Sequence, residues 1–464
     1  MIIHDFRLFK GCRSAAARVM TRFGIAAVLL VCALSPVPAR AAIEGEAQFV
    51  FNTFGFLVWG ALVMWMAAGF TMLEVGSVRT KNASVICLKN LGLYSITGLT
   101  YYLVGFNIMY VGVEPGGWFG SLEFLYGTTA DEVALLGGDE AATAAVVNSG
   151  YSAMSYWFFQ MVFVATTASI VSDALAERVK LWPFFIFIAV LTSVVYPVVG
   201  AWAWAGGWLA ELGFKDFAGS TVVHSTGGWA ALAGAIMVGP RSGKFRADGS
   251  VKPTPPSNVP VVALGVFILW MGWFGFNGGS HLALSGAIDA VVLSNIFSNI
   301  NLAAAAGVLA SLSLSRPVLG RIDLFSGLNG ALAGLVAITA APDIVQHHWA
   351  IVIGAVGGML CLLSMKSLEM LKIDDVVGAV PVHLCTGIWG TLAVCIAAGG
   401  SLFAQIIGIL SIGVFVFGTS MLLWFVIDRT LGLRVSKDVE AIGQDAGNLG
   451  IEAYPEFLMM PEED

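Results

Sequence analysis

The chain has 464 residues, 58% hydrophobic and 11% charged, with a formal net charge of −7 and a mean hydropathy of +0.84. A soluble domain carries about 25% charged residues, so the composition excludes a water-soluble globule, and the negative balance excludes a basic surface for nucleic acid. Six cysteines are present without CxxC spacing, which indicates neither a disulfide frame nor a zinc site.

The chain opens with a targeting pattern. Arg13, Arg18 and Arg22 precede the apolar run FGIAAVLLVCAL, and ARA (39–41) follows as a small-x-small cleavage site. Residues 1–41 are therefore read as a cleaved signal peptide, with Met20 as an alternative start. An uncleaved anchor is the other reading, although the run is short for a span. Beyond it, apolar stretches of about 20 residues recur, the length of a membrane-crossing α-helix. A β-barrel would instead alternate in polarity over about 10 residues. The expected fold is an all-α membrane protein of eleven spans, over 49–76, 84–112, 152–176, 181–204, 219–239, 258–279, 286–314, 324–341, 346–365, 379–398 and 402–428. The channel domain is placed at 42–432 and a cytoplasmic tail at 433–464.

Charge tests this count. Six of the 23 Lys and Arg residues lie in the leader. With the mature N-terminus outside and the spans alternating, 16 of the remaining 17 fall on or near the inner side and only Lys215 outside, as the positive-inside rule demands. The expected topology is N-terminus out and C-terminus in. The outer segment 113–150 carries Glu114, Glu123, Asp131, Glu132, Asp139 and Glu140 and no basic residue, either to attract cations or simply as a solvated loop. Glu74, near the inner end of the first span, is expected to pair with Arg79. Glycines at small-residue spacing, such as Gly354, Gly357 and Gly358, serve close helix packing.

Two histidines stand out against this background. His224 lies in the fifth span, in VHSTGG, and His383 in the tenth, in VHLCTG. Each follows a valine and precedes a glycine four residues on. Two units of five spans have opposite orientation, so equal positions in the fifth and tenth spans predict two inverted five-helix repeats plus a final helix, with a site near the midplane at the repeat interface. Ionisable side chains within a span mark function by default. Each could also be a structural histidine bonded to a carbonyl. No carboxylate or thiol completes a metal-ligand set, since Cys385 lies on another face from His383. Leu269, Trp273, Phe276 and Ser280 follow i, i+4, i+7, i+11 spacing and share a helix face; Phe163 and Ile170, seven apart, share another. Such stripes can also be ordinary packing. GFNGGS is expected to break its helix, leaving Ser280 on loop backbone. Asp216, ahead of the fifth span, is expected to cap a helix, with direct cation binding as the alternative.

Several stretches together resemble the ammonium transporter family (Amt/Mep/Rh): GSVRTKN (76–82), FFQMVFVATTASIVSDALAER (158–178), DFAGSTVVH (216–224), GWFGFNGGS (272–280), DDVVGAVPVH (374–383) and LGLRVS (431–436). The resemblance covers about 45–455 and is most similar to bacterial members, with details shared with a marine branch. It implies an outer cation site at Trp204, Phe163 and Ser280, a gate of Phe163 and Phe276 with Trp273 beside it, paired pore histidines at His224 and His383, and a structural Asp216; the shared helix faces add Ile170 and Leu269 as expected pore-lining residues. It also implies ammonium or ammonia as substrate, a homotrimer in the lipid bilayer of the plasma membrane, and a PII-type regulatory protein at the inner face. No cofactor motif and no nucleophile–base set of an enzyme appears. Three features depart from the family pattern: Gly378 where many members carry aspartate, Asp173 where a small residue is common, and a divergent tail after LGLRVS that puts PII binding in question.

The chemistry suits ammonium. A desolvated cation–π contact contributes about 2 kcal/mol, whereas burying an ammonium-sized ion has an idealised cost on the order of 20 kcal/mol. A dry pore therefore favours passage of neutral ammonia, with two mutually bonded imidazoles as donor, acceptor and proton path. Potassium has no proton to release and is rejected. A sensor that binds ammonium with little conduction, or a gas pore of the Rh type, are the competing readings.

Overall fold

A computed structural model describes residues 45–455; the leader assigned to 1–41 lies outside the described residues. Helical segments stand at all eleven expected places. They are α1 (Gly45–Ser77), α2 (83–110), α3 (Ala153–Leu175), α4 (181–204), α5 (Ser220–Val238), α6 (Val259–Gly279), α7 (Ala287–Leu319), α8 (Leu324–Ile338), α9 (His347–Met370), α10 (Val380–Ala397) and α11 (Leu402–Leu431). Among the described residues, nine runs are long and apolar enough to cross a bilayer; α2 and the shorter α8 fall outside that test. For α2 this reflects its polar content, which includes the buried Lys89 and Asn90. α8 is almost wholly buried among its neighbours.

The outer flank of the bundle is apolar and exposed, as at Leu91, Leu99, Phe267, Leu309 and Val414, the surface a lipid solvent requires. Between helices, glycine allows close approach. A Cβ built on Gly354 of α9 would stand 2.1 Å from the Ala303 carbonyl oxygen of α7, and one on Gly358 2.3 Å from that of Gly307. Small residues thus let α7, α8 and α9 pack backbone to backbone.

In the segment between α2 and α3, Glu132 is buried and structural. It completes a capping box with Thr129 and accepts a hydrogen bond from the Ala153 amide at the start of α3. Its acidity there serves the fold.

One face of the bundle carries the tail, held by a charged network. Glu177, at the end of ALAER, accepts from Arg79, from Asn82 (3.1 Å) and from Arg241 Nη1 (2.8 Å). Arg241 also makes a two-pronged contact with Asp374, through Nε at 2.8 Å and Nη2 at 2.9 Å. The tail joins this network. Arg434 and Ser242 bind Glu440, Lys81 donates to the carbonyls of Glu440 and Ala441, and Asp445 accepts from the amides of Ser84 and Val85 at the start of α2. An acidic cap is favourable at that helix end. The expected Glu74–Arg79 pair is corrected: Arg79 bonds Glu177, while Glu74 bonds Lys89 (2.5 Å), Asn90 (2.8 Å) and Ser172 (2.7 Å) inside the bundle. The chain turns after Ser77, so Arg79 reaches α3 rather than back along α1.

Burial alone would raise the Asp374 carboxyl, but its hydrogen bonds to Arg241 and the charges of Arg241 and Arg178 hold it well below the usual carboxylate range. A carboxyl depressed on folding stabilises the fold above its unfolded pKa of about 4 and loses that contribution as pH falls further. The thermal stability of the purified protein should therefore fall on acidification below about pH 4, by on the order of 2 kcal/mol from this group. Asp374→Asn should be less stable at neutral pH and show a flatter acid limb.

Candidate functional site

α5 and α10 begin in the same way from opposite sides of the bundle. Asp216 Oδ1 accepts from the amides of Gly219 (3.1 Å) and Ser220 (2.8 Å), and Oδ2 from those of Thr221 and Val222 (both 2.8 Å). Asp375 repeats this with Gly378, Ala379 and Val380. Gly219 and Gly378 both take positive φ, +109° and +99°, a conformation that favours glycine. Each start leads into a wide π-turn, Ser220–Ser225 and Val380–Cys385, that carries the histidine. Such turns shift side-chain register and gather at functional sites. The shared pattern is Asp-x-x-Gly-x4-His, which is longer than the valine–histidine–glycine match read from the sequence. It also accounts for Gly378: the position needs a left-handed backbone, as Gly219 does. Asp216 caps its helix as expected, and Asp375 is the counterpart that sequence reading missed.

The glycine four residues after each histidine has a reciprocal role. A Cβ on Gly228 would meet Leu384 at 2.7 Å, and one on Gly387 would meet the Ser220 carbonyl oxygen at 2.3 Å. Thr221 and Thr391 hydroxyls bond across the same crossing at 2.6 Å. The two helices therefore touch where the histidines sit. His224 Nδ1 and His383 Nδ1 are 3.2 Å apart, with ring centroids at 5.2 Å and planes inclined by 25°. Both rings are buried. One Nδ1 donates and the other accepts, so the pair holds opposite tautomers. His224 Nε2 is buried without a hydrogen-bond partner.

Aromatic rings stack on one side of this pair. His224 lies 5.1 Å from Trp273 and 5.5 Å from Phe276, centroid to centroid, with near-parallel planes. Phe276 stacks on Phe163 at 3.9 Å and 20°, and Phe163 meets Trp204 edge-on at 6.3 Å. Trp273 is anchored by its indole N–H to Thr339 Oγ1 at 2.9 Å, and Trp204 by its own to the Asp216 carbonyl at 2.8 Å. On the far side, Phe70 lies 6.1 Å from His383.

Beyond the phenyl pair, on the face opposite the tail, is a cavity of about 110 Å³ lined by Phe163, Trp204, Ser280, Tyr110, Tyr156, Gln160, Phe217 and Leu282. The three residues expected at a cation entry thus share one cavity. Ser280 differs in detail: α6 runs unbroken through GFNGG, and Ser280 ends it with its hydroxyl donating to the Phe276 carbonyl at 2.9 Å. Its oxygen remains an acceptor. Gln160 was missed; it is buried and its Oε1 has no partner. Its place three residues before Phe163, the i,i+3 spacing of one helix face, was the available signal. Leu269 and Ile170 are fully buried. Leu269 packs at Gly69 of α1 and Ile170 at Gly227 of α5. A larger cleft, about 560 Å³, lies between the start of α4 and the tail, lined mostly by apolar residues, with Lys180, Ser436 and Asn448; it is remote from the histidines.

Comparison with known proteins agrees with this geometry. The model of the Ammonium Transporter Family matches residues 54–454. The chain is 38% identical over 434 residues to Ammonium transporter Amt2 of Archaeoglobus fulgidus, covering 87% of this chain and 88% of that one. It is 41% identical over 407 residues to Putative ammonium transporter sll1017 of Synechocystis sp., covering 86% and 88%. Among solved structures it is similar to one named Sensor Amt Protein, with a TM-score of 0.78 and 37% identity over 87% of this chain and 99% of that one. It is also similar to Saccharomyces cerevisiae Mep2, with a TM-score of 0.73 at 25% identity, covering 85% and 90%. With a buried histidine pair behind stacked phenyl rings in an all-helical bundle, the chain belongs to the ammonium transporter family: it is a multi-pass membrane protein that transports ammonium and not an enzyme.

Proposed function

We propose that transport proceeds by capture of the ammonium cation in the cavity at Trp204, Phe163 and Ser280, loss of its proton, and passage of neutral ammonia through the Phe163–Phe276 gate and past His224 and His383. The observation that carries this reading is the 3.2 Å contact between two buried imidazole nitrogens directly behind a stacked phenyl pair. The cavity supplies what a four-donor cation binds: aromatic faces, the Ser280 hydroxyl and the unpartnered Gln160 Oε1. The phenyl stack leaves no room for a hydrated ion. Behind it the imidazoles provide the polar groups that ammonia needs. Trp273 keeps His224 in place, and Leu269 and Ile170 keep the corridor apolar.

Assembly and regulation form part of the same reading. The chain works as a homotrimer in the plasma membrane with its N-terminus outside after loss of residues 1–41, and its tail-bearing face is cytoplasmic. The excess of lysine and arginine on that side supports this orientation. A PII-type protein would meet the same face. Placement in a marine bacterial branch rests on GSVRTKN and VVGAVPVHLCTG alone. A second reading, an ammonium sensor with little conduction, is favoured by the likeness to a structure named as a sensor and by the tail's many bonds to the cytoplasmic ends of the helices. A gas pore of the Rh type is disfavoured by the cation cavity at Trp204 and Ser280.

Ammonium uptake into proteoliposomes tests the relay. His224→Ala and His383→Ala should each lower flux by roughly tenfold or admit potassium, with unchanged elution on gel filtration; wild-type flux and selectivity in both would refute the role. Capture is tested separately. Trp204→Leu and Gln160→Leu should raise the half-saturating ammonium concentration by about threefold to tenfold with the maximal rate little changed. An unchanged half-saturation in both variants would remove the cation cavity from the mechanism.

A further inference from the structure

The histidine pair disposes of a proton only if some group takes it onward, and one buried carboxyl is otherwise unexplained. Asp173 lies on α3, three residues beyond Ile170, and is 1% exposed. Its Oδ1 has no hydrogen-bond partner. Three charged groups face it: Glu74 of α1, Lys89 of α2 and Asp375 ahead of α10. Each of these is already satisfied. Glu74 Oε1 takes the Lys89 ammonium, and its Oε2 accepts from Asn90 and Ser172. Lys89 gives a further bond to the Ser172 carbonyl at 3.0 Å. The Asp375 carboxylate is held by its three backbone amides. The single lysine therefore balances Glu74, and Asp173 is left over. An ionised carboxylate buried without a partner is costly, and within a membrane such a group marks a proton path.

Its position fits that chemistry. The Phe70 ring lies 6.1 Å from that of His383, tilted by 38°. Glu74 lies one turn further along α1, a rise of about 6 Å, and bonds the residue next to Asp173. Thr167 of α3 meets the carbonyl of Val223, beside His224, and Asp173 lies six residues further along α3, a rise of about 9 Å, on the side where the tail docks. A gap of that length is bridged by a chain of about three waters.

We propose that Asp173 is the proton acceptor on the cytoplasmic side of the histidine pair; this rests on the twin-histidine reading above. At rest it is the neutral acid. Ammonium gives its proton to an imidazole nitrogen, and ammonia moves on. Asp173 releases its own proton to solvent or to the departing ammonia at the cytoplasmic end, and the transient carboxylate takes the proton from the imidazolium. One ammonium enters and one ammonia and one proton leave, so charge and atoms balance, and both histidines return to neutral.

The test compares wild type, Asp173→Asn and Asp173→Glu in proteoliposomes. Ammonium-evoked charge movement is read on a solid-supported membrane as a function of pH, and ammonia flux as total nitrogen-15 accumulated in the lumen, because ammonia that crosses together with its proton does not alkalinise it. Asp173→Asn should lose charge movement by roughly tenfold, together with its pH dependence, while ammonia flux stays within about twofold. Asp173→Glu should restore part of the charge movement. In infrared difference spectra, a carbonyl stretch of a neutral carboxyl should respond to ammonium in wild type and be missing in Asp173→Asn. Wild-type currents with wild-type pH dependence in the asparagine variant would overturn the proposal. So would parallel loss of both fluxes, which marks a packing role, a wild type that moves no charge, or a wild type without the infrared band. Failure here with the histidine variants still defective would leave the twin-histidine reading intact; histidine variants without effect would remove both.

Discussion

The arrangement depends on two backbone-capturing aspartates. Asp216 and Asp375 each gather the free amides at a helix start, one from each side of the bundle. Four amides at a helix end have no partner within the helix, and lipid offers none. A carboxylate that satisfies them fixes where the helix begins, to the residue. The histidine eight positions later is thereby set at a fixed depth. Because α5 and α10 start from opposite faces, equal offsets bring the two imidazoles to one level.

Depth alone would not bring the rings into contact. The π-turns change the direction of each histidine, and Gly228 and Gly387 let the backbones cross closely enough for a 3.2 Å contact. The histidines bond one another through Nδ1, and no carboxylate among the described residues bonds either ring. A carboxylate beside it would favour the protonated state and hold the cation in the pore. The carboxyls the protein does keep are a turn or more away, with Glu74 neutralised by Lys89 and Asp216 and Asp375 by peptide dipoles.

The tail-bearing face uses charge differently. There Arg79, Arg241, Glu177 and Asp374 form a connected set, and Glu440 and Asp445 of the tail bond the same loops. The tail caps α2, which carries Lys89 into the buried cluster around Glu74.

Much of this was legible in the residues. Apolar runs in the sequence marked the places of all eleven helices, because a bilayer demands long apolar segments with internally bonded backbones. His224, His383, Trp273 and Phe276 were conspicuous because polar or aromatic groups at helical spacing stand out against leucine and alanine. Only the tertiary structure decided which partners met. Glu74 found Lys89 on another helix in place of the nearby Arg79, Gln160 turned out to line the cavity at Trp204 and Ser280, and Asp173 was left unpaired. The reason is physical: periodicity along one helix specifies which face a side chain occupies, whereas the satisfaction of a buried charge depends on groups brought from distant parts of the chain, which no local pattern encodes.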